Sequence, residues 1–169
     1  MILPILKYGA PELRSTNQPV DAFGGELERI VKNMFETMYG SPGIGLAASQ
    51  VGINIQLTTI DLSSGENADN RIILCNPVIV STEGEQTLDE GCLSIPNFTE
   101  TVTRPLKMIV RGQDINGEEI QIEAEGLLAR CLSHEIDHLN GVLFVDHLSP
   151  LKRTLIRNKI KKLVKAGEW

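Results

Sequence analysis

The chain has 169 residues, 41% hydrophobic and 22% charged, the balance of one ordinary folded domain over residues 1–169 rather than of a disordered segment. Its longest apolar runs, such as Ile72 to Cys75, stop far short of the ~20 residues a membrane span needs, and Met1 to Lys7 carries no leader pattern. The net charge of −6 is uneven: residues 151–169 hold seven basic side chains and one acidic, residues 1–150 nine basic and twenty-one acidic, which disfavours nucleic acid on the body and leaves the tail to meet an anionic partner.

In chain order, Leu27, Ile30, Val31, Met34, Phe35 and Met38 recur at helical spacing and predict a first helix closed by Gly40. Ser41 to Gln50 is glycine-rich and reads as a loop, followed by β-prone residues from Ile53 to Ile60. Ser63 to Asn70 is turn chemistry. Strands are predicted at 71–80, 101–111 and 119–125, the last two joined by a hairpin at Asn116-Gly117. A buried helix is expected from about Gly126 to Leu139, closed by Asn140-Gly141. A basic helix over 149–167 opens with Ser149 as N-cap and Pro150, with Leu151, Leu155, Ile160, Leu163 and Val164 on one side. The fold class is α+β: mostly antiparallel strands around a buried helix, with a helix toward each end.

Two of the three histidines, His134 and His138, stand four residues apart on the buried helix, so both imidazoles can reach one metal ion. Glu135 beside them is placed to take a proton from a water at that ion. His147 reads as an ordinary polar residue at the start of the last helix. A catalytic site of this kind needs a third protein ligand and an open position. A third histidine six residues after the second fails, because Phe144 stands there, and a downstream carboxylate fails, because nothing between Asp146 and Glu168 is acidic. That leaves the cysteines, whose odd and sparse number also argues for a reducing cytoplasm rather than a disulfide framework. Cys131 shares the helix with the histidines and is better suited to lining a cavity beside Glu135. Cys75 lies in an apolar strand, where a small buried hydrophobe is the ordinary reading. Cys92 sits in a polar, glycine-bearing turn, where a thiol has reason to face a ligand, although a buried loop cysteine would look the same.

Three segments together resemble the motifs of the peptide deformylase family, in its bacterial form with a C-terminal helix: Gly43 to Gln50, Glu90 to Ser94, and His134 to His138 followed by Leu139 and Gly141. The resemblance implies hydrolysis of the N-formyl group from the N-terminal methionine of nascent polypeptides, with release of formate. It implies Cys92, His134 and His138 as ligands of one divalent ion, Fe²⁺ in the cell, with Zn²⁺, Ni²⁺ or Co²⁺ able to take the site. Glu135 would be general base and then acid, while the Gln50 side-chain amide and the Leu93 backbone N–H would hold the oxyanion. Gly43 and Gly45 would contact substrate backbone. Ile44, Leu88, Leu127 and Cys131 would line the methionine slot. The basic last helix would dock on the ribosome. Three positions depart from the family's usual residues: Ser49 in the first motif, Ser133 before the first histidine, and Thr99 where an arginine often binds substrate backbone. Arg104 and Arg130 are the other cations to consider in that last role.

Overall fold

The computed structural model describes residues 1–169, and its centre is a five-stranded antiparallel meander. Strands β1 (Gly45–Ala47), β2 (Leu57–Ile60), β3 (Ile72–Cys92), β4 (Ile95–Gln113) and β5 (Glu119–Glu125) pair in sequence order. Three α-helices accompany them: α1 (Gly25–Gly40), α2 (Leu127–Leu139) and α3 (Pro150–Lys165). The architecture is the α+β class expected, and none of its helices is long and apolar enough to cross a membrane.

Helix α1 buries Leu27, Val31, Met34, Phe35 and Met38 against Leu46, Leu57 and Cys75, the stripe that the helical spacing predicts. Cys75 is fully buried in this cluster, and burial pushes its thiol up to about 11, as suits a small core hydrophobe. The β4–β5 hairpin turns at Asp114, whose carboxylate accepts from the backbone N–H groups of Asn116 and Glu118 at 2.9 and 3.0 Å.

Helix α2 is buried nearly all round, packing Ala129, Cys131, Leu132 and Ile136 against Leu74, Met108 and Val110 of the sheet. It ends at Asn140, and Gly141 follows with φ +76°. A Cβ there would lie 2.5 Å from the Arg14 carbonyl oxygen, so this chain reversal admits only glycine.

Four expectations need correction. The glycine-rich stretch is not simply a loop: Gly45–Ala47 forms β1, paired with Thr58 to Ile60, and Ala48–Val51 is a 3₁₀ turn. The predicted strands at 71–80 and 101–111 are fragments of β3 and β4, which form one long hairpin. Cys92 is therefore not in a turn but at the end of β3, opposite Ile95 across Leu93-Ser94. Lastly, α3 does start with Ser149 accepting from the Lys152 N–H at 3.3 Å, but it buries Ile156 and Ile160, leaving Leu151, Leu155 and Val164 exposed.

Candidate metal centre and substrate cleft

The long hairpin and the buried helix meet at one point. His134 and His138 lie one turn apart on α2, and their Nε2 atoms are 3.1 Å from each other. The Sγ of Cys92, delivered by the end of β3, is 3.3 Å from His138 Nε2. All three donor atoms lie within 4.8 Å of one another. Ligands at normal bond lengths on a tetrahedral ion would stand roughly 3.3–3.6 Å apart, so the two spacings to His138 are already close to those of one cation and the third pair is within about 1 Å of it.

Protonation at the trio is set by its neighbours. His134 Nδ1 lies 2.7 Å from Glu90 Oε2, and the same carboxylate accepts from Arg104 and Arg130. An ionised carboxylate only accepts, so Nδ1 carries a proton. Without a metal, burial would lower the His134 pKa, but the contacts with Cys92 and Glu90 outweigh it and hold it well above the usual imidazole value, so an ion taking Nε2 would displace a proton there. Burial together with the neighbouring His134 and Arg104 holds the His138 pKa well below the usual imidazole value, keeping it neutral and able to ligate.

Glu135 follows His134 on the helix and turns into the same cleft. Its Oε2 is buried with no hydrogen-bond partner. Burial raises its pKa to about 7; His134 and Arg104 pull it down, Glu90 pushes it further up, and burial prevails. A carboxyl group poised near neutrality, with one oxygen free, suits proton transfer in both directions. On the opposite side, Gln50 is buried in the 3₁₀ turn. Its Oε1 accepts from the Ala47 N–H at 2.9 Å, which fixes the amide so that Nε2 points at Ser94 Oγ (3.1 Å) and Cys92 Sγ (3.6 Å). A donor is thus aimed at the edge of the trio.

A cleft of about 1160 Å³ opens over these groups. Gly43, Ile44, Gly45, Leu93, Leu127 and Cys131 line it, together with Gln50, Cys92, His134 and Glu135. Leu88, expected in the methionine slot, does not line it: the cleft takes Asp89, Glu90 and Gly91 from β3, while Leu88 is 57% exposed. Cys131 is kept as a thiol by burial, reinforced by the nearby carboxylates of Glu135 and Glu90. Gly45 is required by close approach, since a Cβ there would stand 2.7 Å from Glu135 Oε1 and 2.8 Å from Cys131 Sγ. Gly45→Ala should therefore displace the Glu135 carboxylate and lower kcat by about 10²-fold with metal content unchanged, as measured by turnover and metal analysis.

Sequence reasoning missed a buried polar network behind the trio. Arg104 and Arg130 both pair with Glu90, at 2.6 and 2.8 Å. Arg104 also donates to Asp137 at 2.6 Å, and His147 Nε2 stands 2.8 Å from the same carboxylate oxygen. His147, read as an ordinary polar residue, stands exposed in the 3₁₀ turn just before α3 (Phe144–His147) and adds its contact with Asp137 at the rim of this network. Neither arginine is free to replace the arginine absent at Thr99, because both are buried and committed to Glu90. Ser133 Oγ accepts from Arg104 at 3.3 Å, and Ser49 Oγ donates to the His138 carbonyl at 3.4 Å, so both unusual serines are satisfied next to the ligands. The one available signal was Glu90, two residues from Cys92 on the same strand; nothing in the local sequence marks the two arginines as buried.

Comparison with known proteins agrees across the chain. The family model for polypeptide deformylase matches residues 2–154. The chain is 50% identical to the peptide deformylase of Acidobacterium capsulatum over 169 residues, covering 100% of this chain and 99% of the relative. It is 49% identical to that of Thermodesulfovibrio yellowstonii over 160 residues, 95% and 97% of the two chains. Among solved structures, a peptide deformylase from Legionella pneumophila superposes with a TM-score of 0.92 at 44% identity, over 99% of this chain and 98% of the other.

Proposed function

The chain belongs to the polypeptide deformylase family and removes the N-formyl group from nascent peptides; we propose that it does so through one divalent cation held by Cys92, His134 and His138. The convergence of one thiol and two imidazole nitrogens beside an unpartnered buried carboxylate carries this reading. A thiolate with two imidazoles suits Fe²⁺, Zn²⁺, Ni²⁺ or Co²⁺, and we assign Fe²⁺ as the ion in the cell. Such an ion, when bound, supplies Lewis acidity, lowering the pKa of a coordinated water toward ~7 and polarising the formyl oxygen.

The rest is done by the chain. Glu135, with its free oxygen, accepts a proton as water attacks the formyl carbon. It then returns that proton to the departing methionine nitrogen, so that formate and a free amino terminus leave. Gln50 Nε2 and the Leu93 backbone N–H donate to the oxygen that gains charge, and one such donor is typically worth ~3 kcal/mol. Gly43 and Gly45 let the peptide backbone approach, and Ile44, Leu127 and Cys131 take the methionine side chain. Residues 1–169 act as one domain.

Formate release from formyl-Met-Ala-Ser by protein loaded anaerobically with Fe²⁺ or Ni²⁺ tests this reading. Cys92→Ala should bind no ion at stoichiometric metal and release no formate; a variant that retains both would overturn the ligand assignment.

The cellular setting follows from three free cysteines, which suit a reducing cytoplasm. The exposed basic face of α3 suits ribosomal RNA. Deleting α3 would strip Ile156 and Ile160 from their cluster with Leu13 and Phe144, so charge reversal is the cleaner test. Lys159, Lys161 and Lys165 changed to Glu should leave formyl-peptide hydrolysis intact and weaken salt-dependent ribosome binding about tenfold or more. Unchanged binding would refute a role for this face.

A further inference from the structure

Three acidic side chains are buried: Glu90 and Glu135 at the site, and Asp61, fully enclosed just beyond the end of β2. Hydrogen bonds satisfy Asp61. Its Oδ1 accepts from the Ser63 backbone N–H at 2.9 Å and the Ser63 hydroxyl at 2.6 Å. Its Oδ2 accepts from the Gly65 N–H at 3.0 Å and the Tyr39 hydroxyl at 2.5 Å. Burial alone would raise the Asp61 pKa, but the bonds from Ser63, Tyr39 and Gly65 outweigh it and keep the carboxyl below its usual range. The chain is thereby wound into a tight turn, with Ser64 at φ +50° and Gly65 at φ +95°.

This turn grips the wall of the cleft. The Asp61 backbone N–H donates to the Ile44 carbonyl at 2.8 Å, and Ser64 Oγ donates to the Gly43 carbonyl at 3.3 Å. The end of α1 supplies a third hold, the Met38 carbonyl accepting from the Gly43 N–H at 3.2 Å. Tyr39, next to Met38, ties the two supports together. Its hydroxyl donates to Asp61 and accepts from Arg71 Nε at 3.0 Å, while its ring stacks on Phe35 with centroids 5.9 Å apart. Burial and the Asp61 carboxylate raise the Tyr39 pKa, so the hydroxyl keeps the proton it donates.

With glycine at two of three positions, Gly43 to Gly45 gains little stiffness from its own side chains, so its place is set by whatever holds its backbone. We propose that Asp61 and Tyr39 are positioning residues for deformylation, fixing the Gly43–Gly45 wall where a formyl peptide's backbone can lie against it beside Glu135. The proposal rests on the deformylase reading above and extends it to residues that do not line the cleft.

Steady-state kinetics on formyl-Met-Ala-Ser test this with three variants. Asp61→Asn keeps the shape but turns one acceptor into a donor, against either the Gly65 N–H or the Ser63 donors. It should raise KM about tenfold, with kcat within about twofold and one ion still bound per chain. Tyr39→Phe retains the stacked ring and Ser64→Ala retains the Asp61 turn, and each should raise KM about threefold. Calorimetry gives a readout without turnover: in Zn²⁺-loaded Glu135→Gln protein, adding Asp61→Asn should weaken formyl-Met-Ala-Ser binding by the same factor of about ten. A merely structural role would remove active protein and so lower kcat at constant KM. A loss confined to kcat, or KM within twofold of the parent in all three variants, would overturn the proposal. If Asp61→Asn does not fold, an unchanged KM in Tyr39→Phe and Ser64→Ala overturns it alone. Absence of formate with unaltered protein would instead overturn the deformylase reading.

Discussion

Glu135→Ala should cut formate release from formyl-Met-Ala-Ser by roughly 10²–10⁴-fold, the span expected when a positioned acid–base group is lost, while one ion per chain stays bound. The two readouts separate because Glu135 is not among the three converging donor atoms. Its Oε2 has no partner within the protein, so the carboxylate is held for something that enters the cleft. A third measurement distinguishes this role from a structural one. Burial lifts the folded pKa to about 7 from an ordinary value of 4.5, so the charged form is penalised only in the folded state. Folding stability of chelator-treated protein should therefore fall as pH rises from about 4.5 to about 7 and level off above, by about 3 kcal/mol in total. Glu135→Ala should flatten that component of the profile in urea melts. A variant with the parent's turnover rate would end the proton-transfer assignment.

Much of the scaffold was legible because its signals are local. The stripe from Leu27 to Met38, the Asn116-Gly117 turn and the Ser149-Pro150 start each depend on a few adjacent residues, and the corresponding elements stand where those residues place them. The long hairpin was legible over only about half of its length. From Val80 to Asp89 nearly every side chain of β3 is exposed, so the alternation that marks a half-buried strand is missing. What holds this part is its pairing with β4 from Ser81↔Ile109 to Gly91↔Thr99, around a turn at Leu93-Ser94 that carries none of the Gly, Asn or Asp that usually marks a hairpin. The apolar side of α3 was misread for another reason: helical spacing finds leucines, but which of them are covered depends on where Leu13 and Phe144 happen to lie. At the site, the residues that present lone pairs or protons could be named from their motifs. The residues that orient them could not, because Arg104 and Arg130 reach Glu90 only after the hairpin has packed across α2.

Those orienting residues make Glu90→Gln the most damaging change outside the trio. Glu90 is almost fully buried and accepts from Arg104, Arg130 and His134 together. A neutral amide of the same shape leaves Arg130 buried with only the Val102 carbonyl as a further partner, whereas Arg104 keeps Asp137. Removing one member of a buried ion pair typically costs about 3–5 kcal/mol, because the remaining charge is uncompensated. The amide also weakens the contact that fixes the His134 tautomer, and loss of such support typically lowers metal affinity by about 10–100-fold. The pH dependence carries a definite sign. Burial alone would raise the Glu90 pKa, but the hydrogen bonds and charges of His134 and Arg104 outweigh it and hold it at about 2, below the ordinary 4.5. The stabilisation is thus complete above about pH 4.5 and is lost as pH falls through about 2. Unfolding free energies of Glu90→Gln and the parent should differ most near pH 7 and converge toward pH 2. Competition with a metal-sensitive dye at neutral pH should show the weaker ion binding. Equal stability at pH 7 with undiminished affinity would mean that the carboxylate neither balances the arginines nor steers His134.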